Sequence, residues 1–220
     1  MLEVAAGGEA LLLLAEKAIW WPAQRALLVA DVHFGKAVTF RALGVPVPRG
    51  TTSETLAALG ALVARWRARR VVFLGDFLHA VEAHALATLG ALARWRAQHA
   101  DVALTLVRGN HDDRAGDPPA RLGIEVVDEP LTVGGLALCH HPRPQPGAYT
   151  LAGHLHPCVS LHGRANDRLR LPCFHLGAEV GVLPAFGSFT GMHPIRRAAG
   201  DRVFVIADGA VAALPAPPER

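Results

Sequence analysis

Long apolar segments are scarce in this chain. The longest leucine run lies in the opening MLEVAAGGEALLLLAEKA, where glutamates stand on both sides of it. A helix that spans a bilayer needs about 20 consecutive apolar residues, and a secretory leader begins with basic ones. The sequence therefore predicts neither a membrane helix nor a signal peptide.

Cysteine is also rare, with three residues in the chain and no CxxC pair. The odd, scattered set of Cys139, Cys158 and Cys173 argues against a disulfide framework and is typical of reduced thiols, which predicts a cytoplasmic protein. Cys139 stands beside His140, where a thiolate could bind a metal. Its place in the alternating run LALCH favours a small core residue instead.

Lysine is almost absent, so arginine carries nearly all of the positive charge. Lysine occurs only as Lys17 and Lys36, while the formal net charge is +3 and the pI is about 9.1. These values suit an anionic partner, and arginine favours bidentate contacts with phosphate. A coding bias toward Ala, Arg, Gly and Pro would produce the same values, so composition alone does not identify a partner.

Apolar residues are abundant, at 51% of the chain against 19% for charged ones. This composition excludes disorder and predicts a compact protein. A chain of 220 residues is long enough to bury a full core. We therefore expect one domain over residues 1–220, with a flexible tail at about 215–220.

The first half of the chain alternates between two patterns. Apolar runs at 27–32, 71–74 and 102–107 predict strands. The intervening alanine-rich stretches at 51–70 and 82–100 lack proline and predict helices. Strands and helices that alternate at this spacing favour right-handed crossovers and a parallel sheet.

The second half has short β-like runs broken by turn residues. The pairs Gly134-Gly135 and Asp208-Gly209 are typical of hairpin turns. The fold class is therefore predicted to be α/β with mixed strand direction, as two stacked sheets with helices outside.

Polar side chains that bind metals follow the apolar runs again and again. Functional groups in open α/β sheets collect where strands end, at their carboxyl edge. Two carboxylates, one amide and four imidazoles would meet there, which suffices for two divalent cations that share one carboxylate. The predicted ligands are Asp31, His33, Asp76, Asn110, His140, His154 and His156.

The spacing within these motifs has a physical reason. In DVH and HLH, residues i and i+2 of an extended chain point the same way, so both can reach one site. Gly75, Gly109 and Gly153 each precede a predicted ligand. At these positions a larger side chain would crowd the cluster or forbid the required φ.

The ordered motifs Asp31-Val32-His33, Gly75-Asp76, Gly109-Asn110-His111-Asp112, His140 and Gly153-His154-Leu155-His156 resemble those of the calcineurin-like metallophosphoesterase superfamily. The match spans about residues 27–157. The resemblance implies a four-layer α-β-β-α sandwich of two mixed sheets flanked by helices.

Longer stretches are similar to the DNA-ligase-associated branch of that superfamily, namely LLVADVHFGKAVTFRALGVPVPRGTT, LGDFLHA and LPAFGSFTG. This resemblance implies a phosphodiesterase or endonuclease that acts on DNA in the damage response. It also implies a functional association with an ATP-dependent DNA ligase and a helicase.

Carried over position by position, the resemblance implies one metal held by Asp31, His33, Asp76 and His156, and a second held by Asp76, Asn110, His140 and His154. His111 would assist the leaving group and Asp112 would orient it, or the pair would be purely structural. His79 stands where the superfamily often has another residue, so its role stays open.

Charge determines the expected mechanism. Two cations lower the pKa of a bridging water, neutralise the phosphoryl oxygens and support in-line attack by the resulting hydroxide. Mn²⁺ is the expected metal, although Fe²⁺ or Zn²⁺ would suit the same donors. Substrate contacts are expected from Lys36, Arg114, His79 and His141.

Two other functions fit the same residues. The metals contact only a phosphoryl group, so a phosphomonoesterase or small-nucleotide phosphatase is an alternative. A non-catalytic scaffold is another, although such a protein is expected to lose ligands that this sequence keeps.

Overall fold

The computed structural model describes residues 1–47, 50–162 and 168–216. Within these residues the first half of the chain contains seven strands, namely β1 (Leu2–Ala6), β2 (Glu9–Leu13), β3 (Ile19–Trp21), β4 (Ala26–Ala30), β5 (Arg70–Leu74), β6 (Ala103–Val107) and β7 (Ile124–Val127). The helices are α1 (Lys36–Ala42), α2 (Thr51–Trp66), α3 (Leu86–Gln98) and α4 (Asn110–Ala115). Short 3-10 turns lie at Pro22–Gln24, Val81–His84 and Ala120–Leu122.

The first sheet has the order β1-β2-β3-β4-β5-β6-β7. Strands β1 to β4 are antiparallel neighbours, and β4 to β7 run parallel. The predicted parallel core is therefore confirmed. The strand predicted at 27–32 ends at Ala30, so Asp31 lies just beyond the sheet rather than within it.

Helices α2 and α3 cover the outer face of the first sheet. Leu59 of α2 and Trp95 of α3 pack with Phe73 of β5 in one buried apolar cluster. Both helices are shorter than predicted. The first ends at Trp66, because Arg67 adopts a left-handed φ of 48°, and the second begins at Leu86 after a 3-10 turn.

The second half forms a second mixed sheet from nine strands, namely β8 (Leu131–Val133), β9 (Leu136–Leu138), β10 (Tyr149–Ala152), β11 (Pro157–His162), β12 (Arg168–Leu176), β13 (Val180–Val182), β14 (His193–Pro194), β15 (Arg202–Ala207) and β16 (Ala210–Ala213). Strand β10 runs parallel to β9 and β13. The predicted turns at 134–135 and 208–209 join the antiparallel pairs β8–β9 and β15–β16.

The two sheets pack face to face. Leu28 and Leu74 of the first sheet meet Leu151 and Phe174 of the second in a buried cluster. Two mixed sheets flanked by helices are thus confirmed. The second helical layer of the four-layer α-β-β-α sandwich is not formed in the described residues, where no helix follows Leu122. Ile195 and Leu214 pack instead against a buried cluster of β12 and β15.

None of the helices in the described ranges is both long enough and apolar enough to cross a bilayer. The part of the predicted flexible tail that follows residue 216 lies outside the described residues.

Glycine ends the central strand β5 for a steric reason. Gly75 has a φ of 78°, and a Cβ built on it would lie 2.0 Å from Nδ1 of His140. A Cβ on Gly109 would lie 2.5 Å from the Asp76 backbone nitrogen, and one on Gly153 would lie 2.7 Å from Oδ2 of Asp31. The predicted crowding at these glycines is confirmed. The lack of a side chain at each of them lets the two sheets bring polar residues close together.

Replacing Gly75 separates this crowding from backbone strain. Gly44 has the same φ of 78° but nothing within 4 Å of a built Cβ, so G44A should lower the free energy of unfolding by only about 1–2 kcal/mol. G75A should cost about 1–3 kcal/mol more, because the methyl group must displace the His140 ring. Urea denaturation of both variants measures the difference, and equal losses would contradict the steric explanation.

Candidate metal centre

The four ligands predicted for the first metal, Asp31, His33, Asp76 and His156, meet at the carboxyl edge of the first sheet. The Nε2 atoms of His33 and His156 lie 3.4 Å apart. His33 Nε2 is 3.7 Å from Oδ2 of Asp76, and His156 Nε2 is 3.7 Å from Oδ1 of Asp31. Four donor atoms from three different loops therefore face one small volume.

The second set of predicted ligands gathers around His140. Its Nε2 lies 3.0 Å from Oδ1 of Asn110 and 3.0 Å from Nδ1 of His154. The same Nε2 is 3.4 Å from Oδ1 of Asp76. Asp76 thus directs one oxygen toward each set, as a shared carboxylate would.

These spacings fit the binding of divalent cations. Nitrogen and oxygen ligands stand about 2.0–2.2 Å from a first-row metal, which places neighbouring ligands about 3.0–3.5 Å from one another. The donors are imidazole nitrogens, carboxylates and an amide oxygen, a mixture that suits Mn²⁺, Fe²⁺ or Zn²⁺. The arrangement can therefore hold two cations that share Asp76.

Backbone carbonyls determine which ring nitrogen faces the centre. Nδ1 of His140 lies 3.1 Å from the carbonyl of Leu74, and Nδ1 of His156 lies 3.1 Å from that of Gly191. A carbonyl can only accept, so each Nδ1 carries the proton and each Nε2 keeps its lone pair. This is the form in which imidazole binds a metal.

The two carboxylates of the centre are buried, and burial affects the charge state of the site. Asp31 and Asp76 are 0% and 2% exposed. Burial lowers the pKa of His33 and of His154, so both rings are held in the neutral form that ligation requires. Buried carboxylates that face neutral imidazoles have an unfavourable free energy unless a cation joins them.

The backbone of the ligands is strained. Nine non-glycine residues in the described ranges have a positive φ, and five of them are predicted ligands, namely Asp31, His33, Asp76, His154 and His156. Each such conformation costs about 1–3 kcal/mol and tends to mark functional sites. Packing of the two sheets must hold these loops in place.

Asp112 does not orient His111 as predicted, and it makes no structural hydrogen bond to the His111 ring either. Its carboxylate accepts three backbone N–H bonds, from Phe77, Leu78 and Gly109, at 2.9–3.0 Å. Burial raises the pKa of Asp112 to about 6, against the opposing effect of these donors. Asp112 therefore joins the two loops that carry Asp76 and Asn110.

His79, rather than Asp112, contacts the His111 ring and orients it. Nδ1 of His111 lies 2.6 Å from the His79 carbonyl, so the His111 Nε2 is left free. The two rings stack at 4.7 Å, and Nδ1 of His79 is 3.3 Å from Nδ1 of His33. Burial, followed by His111 and Lys36, lowers the pKa of His79 to about 4.

Glu129 is the residue that the sequence analysis missed. Its Oε2 accepts the backbone N–H groups of His140 and His141 at 2.8 Å, and its Oε1 binds the His141 ring at 2.7 Å. Burial acts to raise the pKa of Glu129, but these bonds hold it below its ordinary value. The His141 ring in turn lies 4.8 Å from those of His140 and His154.

No local sequence signal points to Glu129. It stands eleven residues before His140, beyond the β8–β9 hairpin, and only folding of that hairpin brings the two together. Its carboxylate fixes the backbone at His140 and the ring of the neighbouring His141, so it supports the centre from outside the predicted ligands.

Three further residues considered in the sequence differ in their surroundings. Lys36 is half-buried and lines a cleft together with His33, and burial lowers the pKa of its amine while Asp76 and Asp31 oppose this effect. Arg114 is exposed on α4, and its contact with a substrate stays a prediction. Cys139 is 1% exposed among Ala137 and Ala152, as expected of a core residue.

Removing the charge of Glu129 should weaken metal binding. A glutamine side chain has one acceptor oxygen, so it cannot accept hydrogen bonds from the His141 ring and from two backbone N–H groups equally well. The segment that carries His140 should then be held less firmly, and E129Q should lower Mn²⁺ affinity about 10- to 100-fold. Titration calorimetry measures this affinity directly. E3Q, an exposed glutamate on β1, is the matched control and should bind Mn²⁺ like the original protein. Unchanged affinity in E129Q would remove Glu129 from the centre.

A solved structure resembles this chain over almost its whole length. No family model and no curated protein sequence match the chain. Among solved structures, it is similar to the nuclease MPE of Pseudomonas putida, with 48% identity over 97% of this chain and 99% of that one and a TM-score of 0.87.

Two other solved structures overlap more loosely. A protein of unknown function from Aquifex aeolicus is 17% identical over 64% of this chain and 81% of its own, with a TM-score of 0.43. The phosphoesterase YfcE of E. coli is 15% identical over 86% and 97%, with a TM-score of 0.41. From its ordered motifs and its likeness to the P. putida nuclease over almost the whole length, the chain belongs to the calcineurin-like metallophosphoesterase superfamily of metal-dependent phosphoesterases.

Proposed function

We propose that this protein is a phosphodiesterase with two divalent metal ions that cleaves nucleic acid, with DNA in damage repair as its substrate. The position of Asp76 carries this proposal, since its two oxygens face His33 and His140 in two separate ligand sets. The nuclease activity of the P. putida relative supports nucleic acid as the substrate class. Mn²⁺ is the proposed metal.

The proposed roles of the ligands follow their positions. Asp31, His33, Asp76 and His156 would hold one ion, and Asp76, Asn110, His140 and His154 would hold the other. When bound, the two ions supply neutralisation of the phosphoryl oxygens and a water of lowered pKa. The loops around Asp31 and Asp76 present their donors before substrate arrives, because packing of the two sheets holds their strained backbone in place.

His111 is the proposed proton donor to the leaving oxygen. Its Nδ1 donates to the His79 carbonyl at 2.6 Å, so that only Nε2 can hold and release a proton toward substrate. Stacking on His79 fixes the plane of the ring. Lys36 adds a positive charge close to Asp31 and Asp76, where a phosphate would lie.

The biological setting is proposed from the family resemblance alone. We infer a cytoplasmic protein of one domain that works alongside an ATP-dependent DNA ligase and a helicase. The complete ligand set argues against a purely structural role, since a scaffold has no need of buried donors in strained conformations.

The H111A variant tests the assignment of the proton donor. With thymidylyl-thymidine and Mn²⁺, we expect kcat to fall about 10²- to 10⁴-fold, which is typical for loss of general acid catalysis, because the leaving alkoxide of this substrate needs a proton. The manganese content should stay at two ions per chain, because His111 is not a proposed ligand. The control is H99A, whose ring stacks on Trp95 and which should keep its kcat within about twofold. Loss of metal in H111A would instead make His111 a ligand.

A substrate panel separates the proposed activity from the phosphomonoesterase alternative. Two cations that share a carboxylate accept either ester, so the difference must come from groups around the centre. We expect end-labelled single-stranded, duplex or nicked DNA to be cut in Mn²⁺ with a higher kcat/KM than p-nitrophenyl phosphate. Chelation of the metal should abolish cleavage. Faster hydrolysis of the monoester would favour the alternative.

A further inference from the structure

The segment LPAFGSFTG, at residues 183–191, forms one wall of the metal centre. The Phe186 backbone N–H donates to the Ala30 carbonyl at 2.8 Å, and that of Gly187 donates to the Asp31 carbonyl at 3.3 Å. The Gly191 carbonyl accepts from Nδ1 of the ligand His156 at 3.1 Å. The segment is therefore bonded to two predicted ligands of the centre, Asp31 and His156.

Further contacts hold the middle of this wall. A Cβ on Gly187 would lie 2.7 Å from the Val32 carbonyl, so the wall approaches the Asp31 loop as closely as glycine allows. The Ser188 hydroxyl lies 3.4 Å from both the Thr51 carbonyl and the Thr55 hydroxyl. The Thr190 hydroxyl donates to the Gly187 carbonyl at 3.0 Å. The wall is thus fixed in position from several sides.

An aromatic side chain stands exposed on this fixed wall. Phe189 keeps 37% of its surface accessible. Its ring meets that of Phe40 at 88°, with the centroids 5.6 Å apart, and Phe40 lies 6.2 Å from the His79 ring. Phe40 therefore supports Phe189 edge-to-face, while the exposed surface of Phe189 remains available.

The cleft beside Phe189 has a polar side that carries a positive charge, while Val32 and Phe34 line its apolar side. It is lined by Phe189 and the predicted ligand His33, together with Lys36, Thr51, Thr52 and Ser188 on its polar side. A partner that used only apolar contacts would not match hydroxyl groups and an amine. A nucleotide matches both features, since its phosphate suits Lys36 and its base suits the phenyl ring.

We propose that Phe189, supported by Phe40, is a stacking platform for an unpaired nucleobase next to the phosphate that is cleaved. The proposal rests on the proposed nuclease function and deepens it. Both faces of a base inside a duplex are covered by its neighbours, so only an unstacked base can lie on the ring. Phe189 is then a substrate-binding residue that favours diesters carrying bases over diesters of the same charge without them.

Two dinucleotides with a single diester each provide the test. One is thymidylyl-thymidine, and the other has hydrogen in place of both bases. Base stacking on an aromatic side chain predicts that the protein with Mn²⁺ cleaves the first with a kcat/KM about 5- to 150-fold higher. F189A should lose this preference by slowing only thymidylyl-thymidine, whereas F189W should retain it. L169A, an exposed residue on β12, is the matched control and should change neither rate.

Equal cleavage of both dinucleotides by the original protein would overturn the proposal, as would an equal loss for both in F189A. A binding measurement distinguishes this failure from failure of the nuclease function. An oligothymidylate with one 2-aminopurine base should lose fluorescence when it binds the original protein and not when it binds F189A. If that difference is found without any cleavage, the platform stands and the nuclease function fails. If neither is found, both fail.

Discussion

The arrangement of the whole centre depends on where the Asp76 carboxylate is held. Its Oδ1 accepts the backbone N–H of His111 at 3.0 Å and faces His140, while its Oδ2 faces His33. This carboxylate is nearly fully buried, and a buried negative charge is tolerable only among donors or cations. The surrounding loops are therefore constrained by one requirement, which is to place hydrogen-bond donors and metal ligands around this carboxylate.

The backbone meets that requirement at a cost in local conformational energy. Left-handed φ values at Asp31, Asp76 and His154 aim their side chains inward, and the packing of one sheet against the other maintains them. Backbone carbonyls then select the ring nitrogen that His140 and His156 present. A site arranged in this way before substrate binds has little reorganisation left for the reaction itself.

Residues outside the two ligand sets hold the loops of the centre in place. Glu129 holds the His140–His141 segment from one side, and Asp112 joins the loops of Asp76 and Asn110 from another. The wall that carries Phe189 closes a third side and is bonded to the Asp31 loop. In the proposed function these supports determine how tightly metal is held and which diesters are preferred.

The sequence by itself determined the parallel core strands, the hairpin turns and the seven candidate ligands, because apolar periodicity and short motifs are local properties. It extended the strand at 27–32 two residues too far and assigned to Asp112 a contact that His79 makes instead. It gave no sign of Glu129, which reaches His140 only through a folded hairpin. Tertiary structure alone decided these points, because distances between side chains far apart in the chain depend on how the two sheets pack.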